Sequence, residues 1–200
     1  MPSVYDLKPG FQKLLLPLTA ALYRLGITAN GVTVSAMLAS LAFGAWMLLA
    51  TDSRLAFLLL PVFMFVRMAL NAIDGMLARQ YRQQSKLGAI LNEAGDVVSD
   101  AALYAPFAML PAVQPGIILG VVFLSLLTEF VGVLGQAIGG GRRYEGPLGK
   151  SDRAVVFGAL GLLIGIGAPV QPYLNPVLLV MAFLLAWTVW NRARHTLRSA

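Results

Sequence analysis

Residues 71–96 read NAIDGMLARQYRQQSKLGAILNEAGD, a polar stretch in a chain that is otherwise strongly apolar. Its side chains and the turn that follows form two series at helical spacing: Asn71 and Asp74 in the first, and Asn92, Asp96 and Asp100 in the second. Residues three or four apart share one face of a helix, so each series forms a polar stripe. Charged groups inside a bilayer usually face a partner, a metal ion or a water-filled cavity. These stripes are therefore the first candidates for a functional site.

The composition is that of a membrane protein. Hydrophobic residues make up 58% of the 200 residues and charged residues 12%, with a mean hydropathy of +0.75. Soluble domains carry about 25% charged residues, and a membrane-spanning helix needs about 20 mostly apolar residues. Six such windows occur, at roughly 32–50, 54–72, 91–111, 115–138, 153–170 and 174–191. The sequence predicts an all-α integral membrane protein with six transmembrane helices.

An amphipathic segment precedes the first window. Its apolar residues recur at steps of three and four: Phe11, Leu14, Leu15, Leu18, Leu22 and Leu25. This pattern predicts a helix lying in the membrane interface, which Pro17 would kink or end early. A secretory signal is the alternative, because Lys8 and Lys13 precede a short apolar run. We expect one membrane domain over residues 1–200, with the interfacial helix and linker at 1–30 and a six-helix bundle at 31–200.

Basic residues lie on alternate sides of the predicted windows. They precede the first window and follow the second, fourth and sixth: Lys8, Lys13, Arg24, Arg79, Arg82, Lys86, Arg142, Arg143, Lys150, Arg153, Arg192, Arg194 and Arg198. The connections near 51–53, 112–114 and 171–173 contain no Lys or Arg. By the positive-inside rule both termini and the basic loops are cytoplasmic. This orientation and anionic lipid headgroups explain the net charge of +6, so we expect no nucleic-acid partner.

The two polar stripes indicate a hard metal ion. If the second and third windows are antiparallel neighbours joined by residues 80–87, the stripes face each other near the cytoplasmic surface. Carboxylate and amide oxygens, with no sulfur or histidine nearby, favour Mg²⁺, Mn²⁺ or Ca²⁺. The chain has no cysteine, which excludes a thiolate site. Arg67, one turn before Asn71, has two possible partners: a carboxylate of the third window or a substrate phosphate.

The stretch resembles the signature of the CDP-alcohol phosphotransferase (CDP-alcohol phosphatidyltransferase) family, D-x2-D-G-x2-A-R-x8-G-x3-D-x3-D. Six of the eight fixed positions agree at the right spacing, namely Asp74, Gly75, Ala78, Arg79, Gly88 and Asp96. Residues 29–33, Ala-Asn-Gly-Val-Thr, resemble the P-N-x-[IV]-T element that precedes the first span in many members. The departures are Asn71 and Asn92, which stand at the first and third acidic positions.

The resemblance implies an enzyme of phospholipid biosynthesis. Members transfer a phosphatidyl (substituted phosphoryl) group from a CDP-alcohol to the hydroxyl of a polar acceptor alcohol and release CMP. CDP-diacylglycerol is the expected donor, and one or two Mg²⁺ or Mn²⁺ ions are the expected cofactors. The family also implies a homodimer among membrane lipids, and we expect a multi-pass protein of a bacterial inner membrane with its active site on the cytoplasmic side.

The resemblance assigns roles residue by residue. The implied metal ligands are Asn71, Asp74, Asn92 and Asp96, with Asp100 as a further candidate, and Asp96 is the implied catalytic base. The implied CDP-binding residues are Gly75, Ala78, Arg79 and Gly88, although small residues at such positions also serve helix packing. Acceptor-binding candidates are Arg142, Arg143, Lys150 and Arg153, for which membrane orientation is the alternative explanation.

The two asparagines leave a second reading open. Each replaces a charged carboxylate by one neutral carbonyl oxygen, so we expect metal affinity to fall or one of two ions to be lost. Asp100 and Glu93 are candidates to compensate. The alternative function is a catalytically degenerate family member that binds CDP-lipid or headgroup without turnover. A small transporter or structural membrane protein is a third class, but it does not explain the signature spacing.

Overall fold

The computed structural model describes residues 8–50 and 54–199. The regular elements of this part of the chain are seven α-helices and one short 3₁₀ helix: α1 (Lys8–Arg24), α2 (Ala29–Leu49), α3 (Arg54–Gln80), α4 (Lys86–Tyr104), the 3₁₀ helix (Ala105–Met109), α5 (Pro115–Ala137), α6 (Lys150–Gly165) and α7 (Gln171–Ser199). The described residues contain no strand, so the predicted all-α class is confirmed. The predicted uncharged connection at 51–53 and the side chain of Lys8 lie outside the described residues.

Four of the described helices, α2, α3, α5 and α7, are long and apolar enough to cross a membrane. Helix α6 has only 16 residues, fewer than the roughly 20 that a bilayer requires. Helix α4 has 19 residues and includes Lys86, Glu93, Asp96 and Asp100. The second polar stripe thus occupies α4 itself. A crossing by six helices stays a prediction for α4 and α6.

Helix α1 packs one face on α3 and leaves an apolar face open. Leu15 and Thr19 are buried, and the Thr19 hydroxyl lies 3.9 Å from the Met76 sulfur on α3. Leu14 and Leu25 are 75% and 76% exposed. The helix runs through Pro17 and does not end there. The amphipathic pattern therefore forms a helix, and its interfacial position stays a prediction.

The bundle pairs α2 with α4, α3 with α6, and α5 with α7. Small residues permit close contacts, since a Cβ on Gly161 of α6 would lie 2.9 Å from the Phe57 carbonyl oxygen on α3. Tyr104 stacks on Phe157 with ring centroids 3.9 Å apart. Phe107 meets Phe157 edge-on at 5.1 Å. This aromatic core fixes α4 and the 3₁₀ helix against α6.

The start of α2 and the start of α4 are held at the turn that follows α3. Thr28 caps α2 by accepting from the Gly31 amide at 3.1 Å, and Ser85 caps α4 by accepting from the Gly88 amide at 2.9 Å. Within the turn, the Gln83 side chain accepts from the Ala29 amide at 2.7 Å. The two segments that resemble family elements are thereby brought to the same end of the bundle.

Residues 138–149 between α5 and α6 fold back along α5. The Arg143 amide donates to the Gly132 carbonyl at 3.3 Å, and the Gly140 amide donates to the Gly135 carbonyl at 2.8 Å. Gly141 has a φ of +75°, a conformation that favours glycine. A Cβ on Gly132 would lie 2.8 Å from the Arg143 carbonyl oxygen. This close path along α5 places Arg142 at the interior of the bundle.

Candidate functional site

The two polar stripes meet as the sequence predicts. The Asn71 amide nitrogen on α3 donates to an Asp96 carboxylate oxygen on α4 at 3.0 Å. Helix α2 packs against both α3 and α4 and completes this side of the site. From α2, the Thr33 hydroxyl donates to an Asp74 carboxylate oxygen at 2.8 Å. Asp74 is 4% exposed, so this hydrogen bond satisfies a buried carboxylate.

Asp96 is partly buried and faces three polar side chains. Besides Asn71, it forms an ion pair with Lys150 at the start of α6. A guanidinium nitrogen of Arg67 lies 3.7 Å from the same carboxylate and donates to the Asp96 backbone carbonyl at 3.2 Å. The proposed base is thus held by contacts from α3 and α6.

Asp100 lies between two arginines and is 2% exposed. One oxygen accepts from Arg67 at 2.7 Å and the other accepts from Arg153 at 2.8 Å. Of the two partners open for Arg67, the structure shows the carboxylates of α4. Both Asp100 oxygens accept hydrogen bonds from arginine, so one of these bonds would have to break before Asp100 could bind a metal ion. The compensating role of Asp100 stays a prediction.

Glu129 of α5 is the centre of a second ion-pair group. Arg153 donates to one Glu129 oxygen at 3.1 Å, and Arg142 donates to the other at 3.1 Å. Arg192 of α7 lies 3.7 Å from Glu129 and donates to the Thr128 carbonyl at 2.5 Å. Sequence reasoning treated Arg192 as an orientation signal only, because it falls one residue beyond the last apolar window. Its burial against α5 is visible only in three dimensions.

Arg142 joins this group to α4. One of its guanidinium nitrogens lies 2.5 Å from a Glu93 carboxylate oxygen. Burial alone would lower the Arg142 pKa, but the contact with Glu93 and the charge of Glu129 raise it above its ordinary value. Arg143 takes another direction and contacts Glu145 and Ser199. Of the four predicted acceptor residues, the structure therefore brings Arg142, Lys150 and Arg153 together and leaves Arg143 outside.

The small signature residues lie beside polar side chains. A Cβ on Gly75 would lie 3.1 Å from the Arg79 guanidinium, and one on Gly88 would lie 2.7 Å from the Asn30 side-chain oxygen. Ala78 is half-buried and packs with the apolar cluster between α1 and α3. Asn30 and Thr33 thus contact the signature directly. The sequence identifies their segment as a family element but predicts no role for either residue.

The donor set has the chemistry for one hard divalent ion. Asp74 and Asp96 provide two carboxylates, and Asn71 and Asn92 provide neutral amide oxygens on the same stripes. Within residues 8–50 and 54–199, no three His, Cys, Asp or Glu side chains form a metal-holding group. Mg²⁺ is usually bound by one or two carboxylates together with substrate phosphates and water, which this set allows. A pair of divalent ions would face only two signature carboxylate charges.

Similarity to known proteins extends over nearly the whole chain. Inner membrane protein YnbA of Escherichia coli (strain K12) is 48% identical over 195 residues, covering 98% of this chain and 96% of that protein. Together with the four candidate spans, this likeness indicates a membrane protein.

Two solved structures share the fold. Both are of phosphatidylinositol phosphate synthase (PgsA1) from Mycobacterium tuberculosis. The form with CDP-DAG bound has a TM-score of 0.78 at 19% identity, covering 94% of this chain and 95% of that one. The form with manganese and citrate has a TM-score of 0.75 at 22% identity, covering 92% and 88%.

The family is shown by the sequence itself. Residues 26–191 match the CDP-alcohol phosphatidyltransferase family, and this range includes both segments that carry the resemblance. The recognition from the signature is therefore confirmed, and the chain belongs to the CDP-alcohol phosphatidyltransferase family.

Proposed function

We propose that this protein transfers a phosphatidyl group from CDP-diacylglycerol to the hydroxyl of a polar alcohol and releases CMP. The observation that carries the proposal is the meeting of the signature stripes, where the Asn71 amide reaches Asp96 at 3.0 Å and Asp74 is held by Thr33. Family membership supports the reaction class. The shared fold with a synthase whose structure contains CDP-DAG supports the donor.

The reaction needs a base and a leaving group. The acceptor hydroxyl oxygen attacks the β-phosphorus, the bond from that phosphorus to the bridging oxygen breaks, and CMP leaves with the bridging oxygen. The hydroxyl proton passes to the Asp96 carboxylate. Asn71 and Lys150 orient this carboxylate through their contacts with it. Positioning of this kind matters because a general base must lie within hydrogen-bond reach of the proton that it takes.

One Mg²⁺ or Mn²⁺ held by Asp74 and Asp96, with oxygens of Asn71 and Asn92, would neutralise charge on the pyrophosphate. The manganese in a structure of the same fold supports this assignment. Thr33 keeps Asp74 oriented from α2. We propose one ion rather than two because the asparagines leave only two signature carboxylates.

The nucleotide would lie along the small signature residues. We assign Gly75, Ala78, Arg79 and Gly88 to CDP binding, with Arg79 near the phosphates. The support is that both glycines lie directly against polar side chains: a Cβ on Gly75 would crowd Arg79, and one on Gly88 would crowd Asn30. A methyl group at either position would force the neighbouring polar side chain to move.

The membrane arrangement is part of the proposal. We propose that α2 to α7 all cross the membrane, because α4 and α6 pack along α2 and α3, two of the candidate spans. Helix α1 would lie in the interface with Leu14 and Leu25 towards lipid. Both termini and the site would be cytoplasmic in a bacterial inner membrane, within one domain over residues 1–200. The family alone supports a homodimer.

A second candidate is a member that binds CDP-lipid without turnover. It is favoured by Asn71 and Asn92 and by the ion pair that Lys150 forms with Asp96. The two candidates differ in a single measurable step, because both bind CDP-diacylglycerol and only the enzyme releases CMP.

The test is CMP release by the purified protein in detergent with CDP-diacylglycerol, Mg²⁺ or Mn²⁺, and a panel of polar alcohols. CDP-diacylglycerol binding is measured in parallel as a thermal shift. Release that requires both metal and acceptor supports the enzyme. Binding without release from any acceptor supports the degenerate member, and absence of both contradicts the proposal.

A further inference from the structure

Five basic side chains form a cluster beside the candidate site, and their ion pairs bear on the charge of the acceptor. This inference rests on the proposed function. The cluster consists of Arg67, Arg142, Lys150, Arg153 and Arg192, which converge from α3, the α5–α6 connection, α6 and α7. A phosphate-binding site usually presents arginines or lysines whose charge is free to meet the anion. The pairing state of these cations therefore distinguishes a charged acceptor from a neutral one.

Each cation of the cluster is paired with a neighbouring carboxylate. Arg67 and Arg153 share Asp100, and Arg153 also reaches Glu129. Arg142 contacts both Glu93 and Glu129, at 2.5 and 3.1 Å. The remaining two pairs are Lys150 with Asp96, and Arg192 with Glu129 at 3.7 Å.

Binding of an anion would leave a buried carboxylate unpaired. Glu129 is 8% exposed and Asp100 is 2% exposed, so neither would gain much solvation if its arginine turned to a phosphate. Breaking a buried ion pair in this way is strongly unfavourable. At the more open side of the cluster, Glu93 and Asp96 lie beside Arg142 and Lys150, so both signs of charge are presented together. Mixed donors and acceptors of this kind suit hydroxyl groups or a zwitterion.

We propose that the acceptor is a polar alcohol without net charge, such as a polyol or a zwitterionic amino alcohol, and that phosphate monoesters are rejected. Arg142 and Lys150 act as hydrogen-bond donors to the acceptor, and Glu93 accepts from it. Glu93 is then a specificity-determining residue, because its carboxylate cancels the charge of Arg142, the arginine of the cluster that comes from the α5–α6 connection.

The test compares matched acceptor pairs in the CMP-release assay, namely glycerol with glycerol 3-phosphate and inositol with inositol 3-phosphate, together with serine. We expect at least about a tenfold preference for an uncharged or zwitterionic acceptor, equivalent to about 1.4 kcal/mol. Preference for a phosphorylated member of either pair would overturn the inference and leave the transferase intact.

If no acceptor supports release, the proposed function fails, and binding decides this inference alone. Stabilisation of the wild-type protein by millimolar glycerol 3-phosphate would then contradict the proposed rejection of phosphate monoesters, and no stabilisation would support that rejection. Glu93→Gln removes the carboxylate opposite Arg142 and should increase glycerol 3-phosphate binding about tenfold. Glu145→Gln, which removes a carboxylate paired with Arg143 outside the cluster, is the matched control and should give no increase. Equal binding by the two variants would contradict the role of Glu93.

Discussion

The α2–α4 half of the site and the α4–α7 half hold their carboxylates differently. In the first half, Asp74 accepts one hydrogen bond from a threonine hydroxyl, and its signature neighbours Asn71 and Asn92 are neutral. In the second half, Asp100 and Glu129 are enclosed by arginines. The first half therefore leaves oxygen atoms for a metal ion and a nucleotide, whereas in the second both oxygens of each carboxylate are paired with arginine. Substitutions in the two halves should change different measured properties.

The largest expected effect is on catalysis in the first half. Asp96→Asn removes the proposed base, and Asp74→Asn removes the main anionic metal ligand, so each should lower CMP release at least about 100-fold. The assay is run on protein that elutes from size exclusion like the wild type. Glu145→Gln, an exposed carboxylate-to-amide change, is the control and should keep its activity. Full activity in folded Asp96→Asn would remove Asp96 from the role of base.

The second half should respond in stability. Arg153 is fully buried, and Arg153→Met leaves Asp100 and Glu129 without their shared partner. We expect a loss of about 3–5 kcal/mol in the free energy of unfolding in detergent, because the buried carboxylates of Asp100 and Glu129 each lose an arginine partner.

Arg143, whose carboxylate partner is exposed, provides the comparison for Arg153. Arg143→Met breaks a pair with the exposed Glu145 and should change the free energy of unfolding by less than about 1 kcal/mol. If the two methionine variants unfold alike, then the α4–α7 half is not held by its ion pairs.

The asparagines of the first half provide a gain-of-binding experiment. Asn71→Asp with Asn92→Asp restores the two acidic positions of the family signature, and Mn²⁺ affinity should rise about tenfold or more. Mn²⁺ binding is followed by electron paramagnetic resonance, which also counts the bound ions. We expect one ion in the wild type and a second in the double variant. Two ions in the wild type would show that neutral amides suffice for the full site.

The smallest effect is expected at Thr33. Thr33→Val keeps the shape of the side chain and removes the hydroxyl that donates to Asp74. CMP release should fall severalfold, equivalent to about 1 kcal/mol, the net contribution of a typical hydrogen bond. Ser40→Ala on the same helix is the control, since the Ser40 hydroxyl bonds only the Ala36 carbonyl of its own helix. Equal changes in both variants would assign the Thr33 effect to helix packing.

The sequence predicts the first half of the site well because its residues are close along the chain. The spacing from Asn71 to Asp96 is enough to place two polar stripes on neighbouring helices, and hydropathy windows locate the helices that carry them. The hydrogen bond from Thr33 to Asp74 could not be predicted from the sequence, because it depends on how α2 packs against α3. The crossing by α4, which the window at 91–111 predicts, stays a prediction, since the polar stripe lowers the apolar character of this helix.

The ion pairs of the second half could not be predicted from the sequence, because their partners are far apart along the chain. Arg153 and Asp100 are 53 residues apart, and Arg192 and Thr128 are 64 apart. No local periodicity encodes such pairs, so from the sequence the basic residues are predicted only as orientation signals or as acceptor ligands. Only the packing of α4, α5, α6 and α7 shows that carboxylates already neutralise them.

The most direct test of the central claim measures CMP and the new phospholipid in the same sample. Purified protein is incubated with CDP-diacylglycerol and glycerol, with Mn²⁺ or with a chelator, and serine and inositol are tested in parallel. We predict that CMP and phospholipid form in equal amounts with at least one of these alcohols, that both disappear with the chelator, and that Asp96→Asn forms neither. Measurable binding of CDP-diacylglycerol with neither product from any acceptor, phosphorylated alcohols included, would contradict the account and identify a protein that binds CDP-lipid without turnover.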